Sequence, residues 1–189
     1  MAPPVQRLQS NGTLPFHSPI EHRVEFIAEA LLEESDRESI ATLFAGAFGR
    51  HKDSYRTRGW RTIPPTFRVI ARADAQIVGQ LSVFDIATDP QRRLFGLGDV
   101  AVTPDRRRRG VARSLVEHAV EECWRRGADV VLTDTGVLRQ VFIALGFAPI
   151  PRFAFYYERD GACRWHALWL AAAKTPVPRP RLRLLEGDF

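Results

Sequence analysis

The alternation of strand-like and helical patterns predicts an α/β protein, with one mixed, twisted sheet and helices on both faces. Three observations carry this. A strand pattern ending at Val102 passes into a helical stripe, then into the apolar run Val130-Val131-Leu132, the order of a right-handed parallel crossover. Two apolar-rich runs, Phe67–Ala73 and Ile77–Ile86, flank a turn around Asp74 and read as a hairpin. Asp160-Gly161, the strongest short turn signal in the chain, lies between Arg152–Glu158 and Ala162–Ala171.

Residues 1–20 are rich in Pro, Ser and Gly and read as a loose arm. A strand follows near Val24–Leu31. Ser35 and Glu38 have the spacing of a capping box, opening a helix whose apolar face is Ile40, Leu43, Phe44 and Ala47. From Gly49 to Pro65 periodicity is lost, and loops of that length are often binding elements. After the first hairpin and a turn at Asp89-Pro90, the central strand runs from about Phe95 to Val102. The next helix, Gly110 to Arg126, buries Ala112, Leu115, Val116, Ala119, Val120 and Cys123; Arg125 and Arg126 suit its C-terminus and Gly127 stops it. Val130-Val131-Leu132 suits a strand covered on both faces. A shorter helix covers Val137–Leu145 and ends at Gly146, and the second hairpin follows. The closing KTPVPRPRLRLLEGDF is too proline-spaced to begin as a helix. The chain thus divides into an arm (1–20), one folded domain (21–173) and a Pro/Arg-rich tail (174–189) that folds back on the domain.

At 189 residues, 45% hydrophobic and 26% charged, the composition is that of a soluble globular protein with one core. No stretch reaches the ~18–20 apolar residues of a membrane span. The N-terminus lacks a signal-peptide core, so a cytoplasmic protein without a membrane partner is expected. Cys123 and Cys163 have no metal-ligand spacing; they read as buried thiols in a reducing compartment, and no metal is expected. The formal charge of +5 is carried almost wholly by arginine, and a basic protein attracts anionic ligands. Nucleic acid is a poor candidate for Arg106–Arg109, because no aromatic platforms interleave with the run and no reading element adjoins it.

The most informative segment is Leu97–Val120. A strand stops at Thr103-Pro104, arginines follow, and Gly110-Val111-Ala112 opens a helix. Such a turn aims several backbone N–H groups at one spot, with the positive end of a helix dipole behind them. That geometry binds phosphate, and the arginines supply counter-charge. Arg107-x-x-Gly110-x-Ala112 resembles the R/Q-x-x-G-x-G/A signature of the GNAT superfamily, the acyl-CoA-dependent N-acyltransferases, whose loop wraps the pyrophosphate of coenzyme A. A second segment, TGVLRQVFIALGF from Thr135 to Phe147, resembles the family's later helix, N-x-x-A-x-x-L-Y-x-x-x-G-F. Gly146-Phe147 coincide with it; Thr135 stands at the asparagine and Phe142 at the tyrosine. The resemblance covers about Val24 to Ala171.

It implies a mainly antiparallel sheet whose central parallel pair splays apart, with acetyl-CoA or another acyl-CoA as co-substrate. The backbones of Val100 and Val102 would meet the pantetheine arm, and Arg107, Arg108, Arg109, Gly110, Val111 and Ala112 would cradle the pyrophosphate. Thr135 and Arg139, on the later helix segment, complete the cofactor side. The implied reaction is attack of a neutral amine on the thioester, with the Val102 N–H stabilising the oxyanion. The chain departs from the family at its acid and base. Phe142 cannot donate a proton, and Gly96 and Gly98 stand where many members carry a glutamate or histidine. Asp99 is adjacent, on the opposite face by strict alternation unless a bulge intervenes. His51, in the long loop, is the other candidate base, ahead of His166 on the last strand. Three readings stay open: water relays the protons, other residues substitute, or the domain binds CoA with weak or no catalysis.

Gly46-Ala47-Phe48, Asp53, Trp60 and the closing Glu186-Gly187-Asp188-Phe189 resemble features of aminoglycoside 2′-N-acetyltransferases. Gly59-Trp60 through Pro65-Thr66-Phe67-Arg68 resembles the nodulation N-acyltransferases, which acylate a glucosamine amine and use longer donors. Both imply an aminosugar acceptor. Asp53, Glu186, Asp188 and the Phe189 carboxylate would hold its ammonium groups, and Tyr55 and Trp60 would stack on its rings. Tyr156, Tyr157 and Glu158 either line the pocket or pack elsewhere. The expected partner is a small-molecule amine, with a homodimer left open.

Overall fold

The computed structural model describes residues 22–49, 64–89, 91–150, 155–159, 162–164, 169–173 and 182–184. In chain order its elements are β1 (Arg23–Ala28), α1 (Glu34–Phe48), β2 (Phe67–Ala73), β3 (Gln76–Ile86), β4 (Thr88–Asp89), β5 (Leu94–Val102) and α2 (Val111–Arg125). Then come β6 (Val130–Asp134), α3 (Arg139–Ala144), β7 (Ala148–Pro149), β8 (Phe155–Arg159), β9 (Ala162–Arg164), β10 (Trp169–Ala173) and β11 (Leu182–Leu184). The main sheet has the order β1-β2-β3-β5-β6-β10-β7, and β4-β11-β8-β9 form a second. Within the main sheet β5 and β6 run parallel, and every other pair is antiparallel.

Strand alternation sends Phe67, Val69, Ala71 and Ala73 into a core with Leu115, Val116, Ala119 and Cys123 of α2. Ile70, Ile77 and Ala101 face the other way, onto Ile40, Leu43 and Phe44 of α1. Helices therefore cover both faces, as the element order predicts. Helix and sheet approach closely at Gly79, where a Cβ would lie 2.9 Å from Val111 Cγ1 and 3.1 Å from Leu115 Cδ1. The first turn of α2 thus rests on the backbone of β3, which sets where that helix begins.

The structure revises several element readings. β1 stops at Ala28, and Glu29–Leu31 coil into a 3-10 turn. The capping box does not form: α1 starts at Glu34 behind Glu33, and Ser35 already lies inside its first turn. Glu34 and Asp36 complement the helix dipole in its place. The later helix is shorter than Val137–Leu145, because the Thr135 hydroxyl accepts from the Leu138 N–H at 3.1 Å and holds the residues before Arg139 in a turn. The second hairpin divides. Arg159 pairs with Ala162 in the second sheet, whereas Trp169–Ala173 returns to the main sheet beside β6. Asp160-Gly161 lies outside the described residues. β11, in the proline-spaced tail, pairs with both β4 and β8.

At the C-terminal end of α2, Gly127 takes φ +83, as a helix stop requires. Arg125 and Arg126 serve a side chain: both clasp Glu122, at 2.6 Å and 2.7 Å, and Arg126 also lies 4.2 Å above the Phe67 ring. Beside them the Cys123 thiol is pushed up to about 12 by burial, which leaves it unreactive. Hydrogen bonds from Arg125, opposed by burial and reinforced by Arg126, hold the Glu122 carboxyl below its ordinary value of 4.5. Its partners are partly solvated, so Glu122→Gln is expected to cost about 1 kcal/mol. A carboxyl with a lowered folded-state pKa stabilises above its ordinary value, and the effect is lost as pH falls through the folded one. Thermal melts of both proteins should therefore differ at neutral pH and converge well below pH 4.5.

Candidate active site

The parallel ladder between β5 and β6 runs from Leu94–Val130 to Leu97–Thr133 and ends there. Thr133 Oγ1 donates to the Leu97 carbonyl at 3.1 Å, so a side chain takes the last acceptor. β6 continues to Asp134 in partnership with β10, while among the described residues β3 is the strand that pairs with Gly98–Val102. The two strands part, and one wall of the notch is the edge of β5 beyond the β6 ladder.

A bulge lies in that wall. Gly98 faces Ser82 and Ala101 faces Gln80, which leaves Asp99 and Val100 opposite Leu81 alone. Asp99 takes φ +53, a left-handed conformation uncommon for residues other than glycine. The condition under which strict alternation ceases to govern Asp99 is therefore met. The Asp99 carbonyl accepts a hydrogen bond from the side-chain amide of Gln80. Gln80 in turn accepts from Arg68 Nη1 at 3.1 Å, and Ser82 Oγ accepts from the same nitrogen at 3.2 Å. Arg68 is only 4% exposed. A cation so buried costs several kcal/mol unless paired. Glu29 pairs it with both oxygens, at 2.6 Å and 3.2 Å.

Beyond Val102 a 3-10 turn, Pro104–Arg106, leads to Arg108 at φ +60 and Gly110 at φ +85. A Cβ on Gly110 would meet nothing within 4 Å, so glycine is needed here for its conformation and the surface before it is open. Ser114 N–H makes the first intrahelical bond, to the Gly110 carbonyl at 2.9 Å. The N–H groups of Val111, Ala112 and Arg113 precede it, and no side chain caps them. The first turn of α2 carries no acidic residue, in contrast to α1. Arg107, Arg108 and Arg109 are exposed, and among the described residues no carboxylate pairs with them. Arg107 Nε donates to the Val102 carbonyl at 3.1 Å, tying the turn to the end of the strand. Positive charge at a helix N-terminus is unfavourable by about 0.3–1 kcal/mol per group at low salt. This cluster opposes the fold and suits an anion.

The structure brings Asp99, Val100, Val102, Arg107–Arg109, Gly110, Val111 and Ala112 to one notch and its mouth. Thr135 and Arg139 follow β6, the other wall, with the Thr135 hydroxyl spent on the Leu138 N–H. Phe142 is fully buried, its ring edge-on to Phe147 at 5.0 Å. At Gly96 a Cβ would come within 2.6 Å of Ile86 Cδ1, so the isoleucine fills the space of a side chain there. Tyr156, Tyr157 and Glu158 belong to β8 in the second sheet, away from the β5–β6 pair in strand order. His51, Asp53, Tyr55, Trp60, His166, Glu186, Asp188 and Phe189 lie outside the described residues. Sequence reading missed Glu29, Arg68 and Gln80. The available signal was polar residues at Arg68, Gln80 and Ser82, in the interior of apolar-rich strands.

A splayed, bulged central strand feeding an uncapped, arginine-flanked helix is the arrangement that the GNAT resemblance implies. Residues 30–133, more than half of the chain, match the family described as acetyltransferase (GNAT) domain, and the chain belongs to that family. Among solved structures, the Escherichia coli GNAT family N-acetyltransferase YhbS in complex with CoA aligns with a TM-score of 0.64 at 15% identity. That alignment covers 87% of this chain and 89% of YhbS. Escherichia coli ElaA aligns with a TM-score of 0.60 at 17% identity, over 79% of this chain and 98% of that one. A Brucella melitensis GNAT family acetyltransferase in complex with acetyl-CoA gives 0.55 at 18% identity, over 82% and 90% respectively. At these identities the likeness establishes the fold. No curated protein sequence matches the chain.

If charge at the turn opposes folding, Arg109→Glu should stabilise the ligand-free protein by a few tenths to about 1 kcal/mol. Melts across a salt series should show the gain shrinking as ionic strength rises.

Proposed function

We propose that the protein is an acetyl-CoA-dependent N-acetyltransferase acting on a primary amine of an aminosugar or aminoglycoside-like small molecule, as a soluble cytoplasmic enzyme. The observation that carries this is the uncapped N-terminus of α2, with Gly110 open before it and Arg107–Arg109 lacking carboxylate partners among the described residues. A diphosphate satisfies both the orphan N–H groups and the guanidinium charge. The open edge of β5 then suits an extended, amide-bearing arm, with the backbones of Val100 and Val102 meeting the pantetheine amides and the thioester oxygen. That YhbS and the Brucella enzyme were solved with CoA and acetyl-CoA supports the same co-substrate.

In this reaction the amine nitrogen attacks the acyl carbon, backbone N–H groups stabilise the oxyanion, and the C–S bond breaks as the amide forms. Asp99, at the bulge, or His51 takes the amine proton, directly or through water. The thiolate takes its proton from water, since Phe142 has no group to donate. Asp53, Glu186 and Asp188 hold further ammonium groups of the acceptor, with Tyr55 and Trp60 against its rings. The buried Phe142 and the filled space at Gly96 favour a second reading, a CoA-binding module with little catalysis.

Calorimetry with acetyl-CoA tests the turn. Aspartate tolerates the left-handed conformation better than most residues, so Gly110→Asp should fold yet bind at least about 100-fold more weakly, some 2.7 kcal/mol. Unchanged affinity would remove the assignment. Thiol release with aminosugars, aminoglycosides and polyamines separates the two readings: turnover with an aminosugar supports the enzyme, and binding without turnover supports the module. Removing Glu186–Phe189 should raise the KM for the amine about tenfold while leaving that for acetyl-CoA within about twofold, a loss of roughly 1.4 kcal/mol.

A further inference from the structure

We infer that Gln80 is a positioning residue: by holding the Asp99 carbonyl it fixes the direction of the Val100 N–H, the donor that meets the acyl oxygen in the notch. The inference rests on the acetyl-CoA reading above. A guanidinium only donates hydrogen bonds, so Arg68 Nη1 compels Gln80 to present Oε1 to it, at 3.1 Å. The amide nitrogen is thereby left to donate, and its acceptor is Asp99 O. Across a planar trans peptide, C=O and N–H point in opposite directions. Orienting the Asp99 carbonyl therefore orients the Val100 N–H.

The hold acts where the backbone leaves the regular ladder. Asp99 and Val100 share one residue opposite them on β3, and no strand pairs with their other edge among the described residues. Asp99 sits at φ +53, which a non-glycine residue keeps only when its surroundings impose it. Gln80 and Ser82 are fully buried and Arg68 nearly so, so water does not compete for the amide. Glu29 anchors the guanidinium at the far end through both oxygens.

Val100 is also better placed than Val102 for the acyl end. A carrier gripped by its diphosphate at Gly110 and laid back along β5 passes Val102 first and reaches Val100 deeper in the notch. The Val102 carbonyl is already taken by Arg107.

Gln80→Glu tests this with little change in volume: the new side chain still accepts from Arg68 but has no donor for Asp99. Gln80→Met removes the donor without adding charge and serves if the glutamate variant fails to fold. The first readout is the Val100 amide resonance, compared between acetyl-CoA and CoA, because only the former carries the acyl oxygen. The wild type should show an acetyl-dependent shift that either variant loses, with CoA affinity within about twofold. With an acceptor amine, kcat should fall by roughly 100-fold, while KM for acetyl-CoA holds. Retention of the acetyl-dependent shift, or a loss of CoA affinity as large as the loss of kcat, overturns the inference alone. Failure of the wild type to bind acetyl-CoA overturns the co-substrate reading, and this inference with it.

Discussion

The structure depends on where one backbone ladder stops. β5 and β6 pair for four residues, all of them buried, where an unpaired peptide group would be costly. At Leu97 the ladder ends without an orphan, because the Thr133 hydroxyl supplies the next donor. Past that point, among the described residues, Gly98–Val102 pair with β3 on one side and with no strand on the other, an edge that suits an extended ligand. Gly79 fixes the rest: its missing Cβ lets Val111 and Leu115 settle on β3, which brings the start of α2 to the mouth of the same notch. Strand edge and helix N-terminus converge through packing, with no contribution needed from the residues that would act on a substrate.

Electrostatics divides the two long helices. α1 carries Glu34 and Asp36 at its N-terminus, and Asp36 also pairs with Arg72 at 2.6 Å. α2 carries no acid in its first turn and follows four arginines, Arg106–Arg109. Its stability comes instead from the buried stripe and from the clasp on Glu122 at the other end. A helix so well buried tolerates an unfavourable terminus, which frees that terminus for an anion. Local rules broken at one place and obeyed elsewhere mark a site under functional demand.

Much of this was legible because its signals are local. The stripe of α2, Gly110 before it and Gly127 after it are read from neighbouring residues, and so are the bounds of β2, which stand at Phe67–Ala73 in sequence and structure alike. The capping box at Ser35 failed because local spacing cannot show that Glu29, Arg37 and Arg68 form a cluster that shapes the chain just upstream. The second hairpin failed for a related reason: pairing of Trp169–Ala173 with β6 is a long-range choice, invisible in Asp160-Gly161. At the candidate site, the glycine-led turn before α2 was legible and the bulge was stated only as a condition. The Glu29–Arg68–Gln80 chain was not, since an inward polar residue is recognised only once strand register is known.

The missing acid and base weigh less than they first suggest. Phe142 packs against Phe147 in the core, and Ile86 occupies the space beside Gly96. Yet in the proposed reaction the leaving group is a thiolate, whose conjugate acid has a pKa near about 8.5 and needs little help to depart near neutral pH. Loss of a single oxyanion donor costs on the order of 100- to 1,000-fold, and a general base contributes a comparable factor. Donors on the β5 backbone survive any change of side chain, and Asp99 stands at the bulge among them. In the proposed reaction, a chain that lacks the usual tyrosine gives up the smallest of the three contributions and keeps backbone donors for the oxyanion.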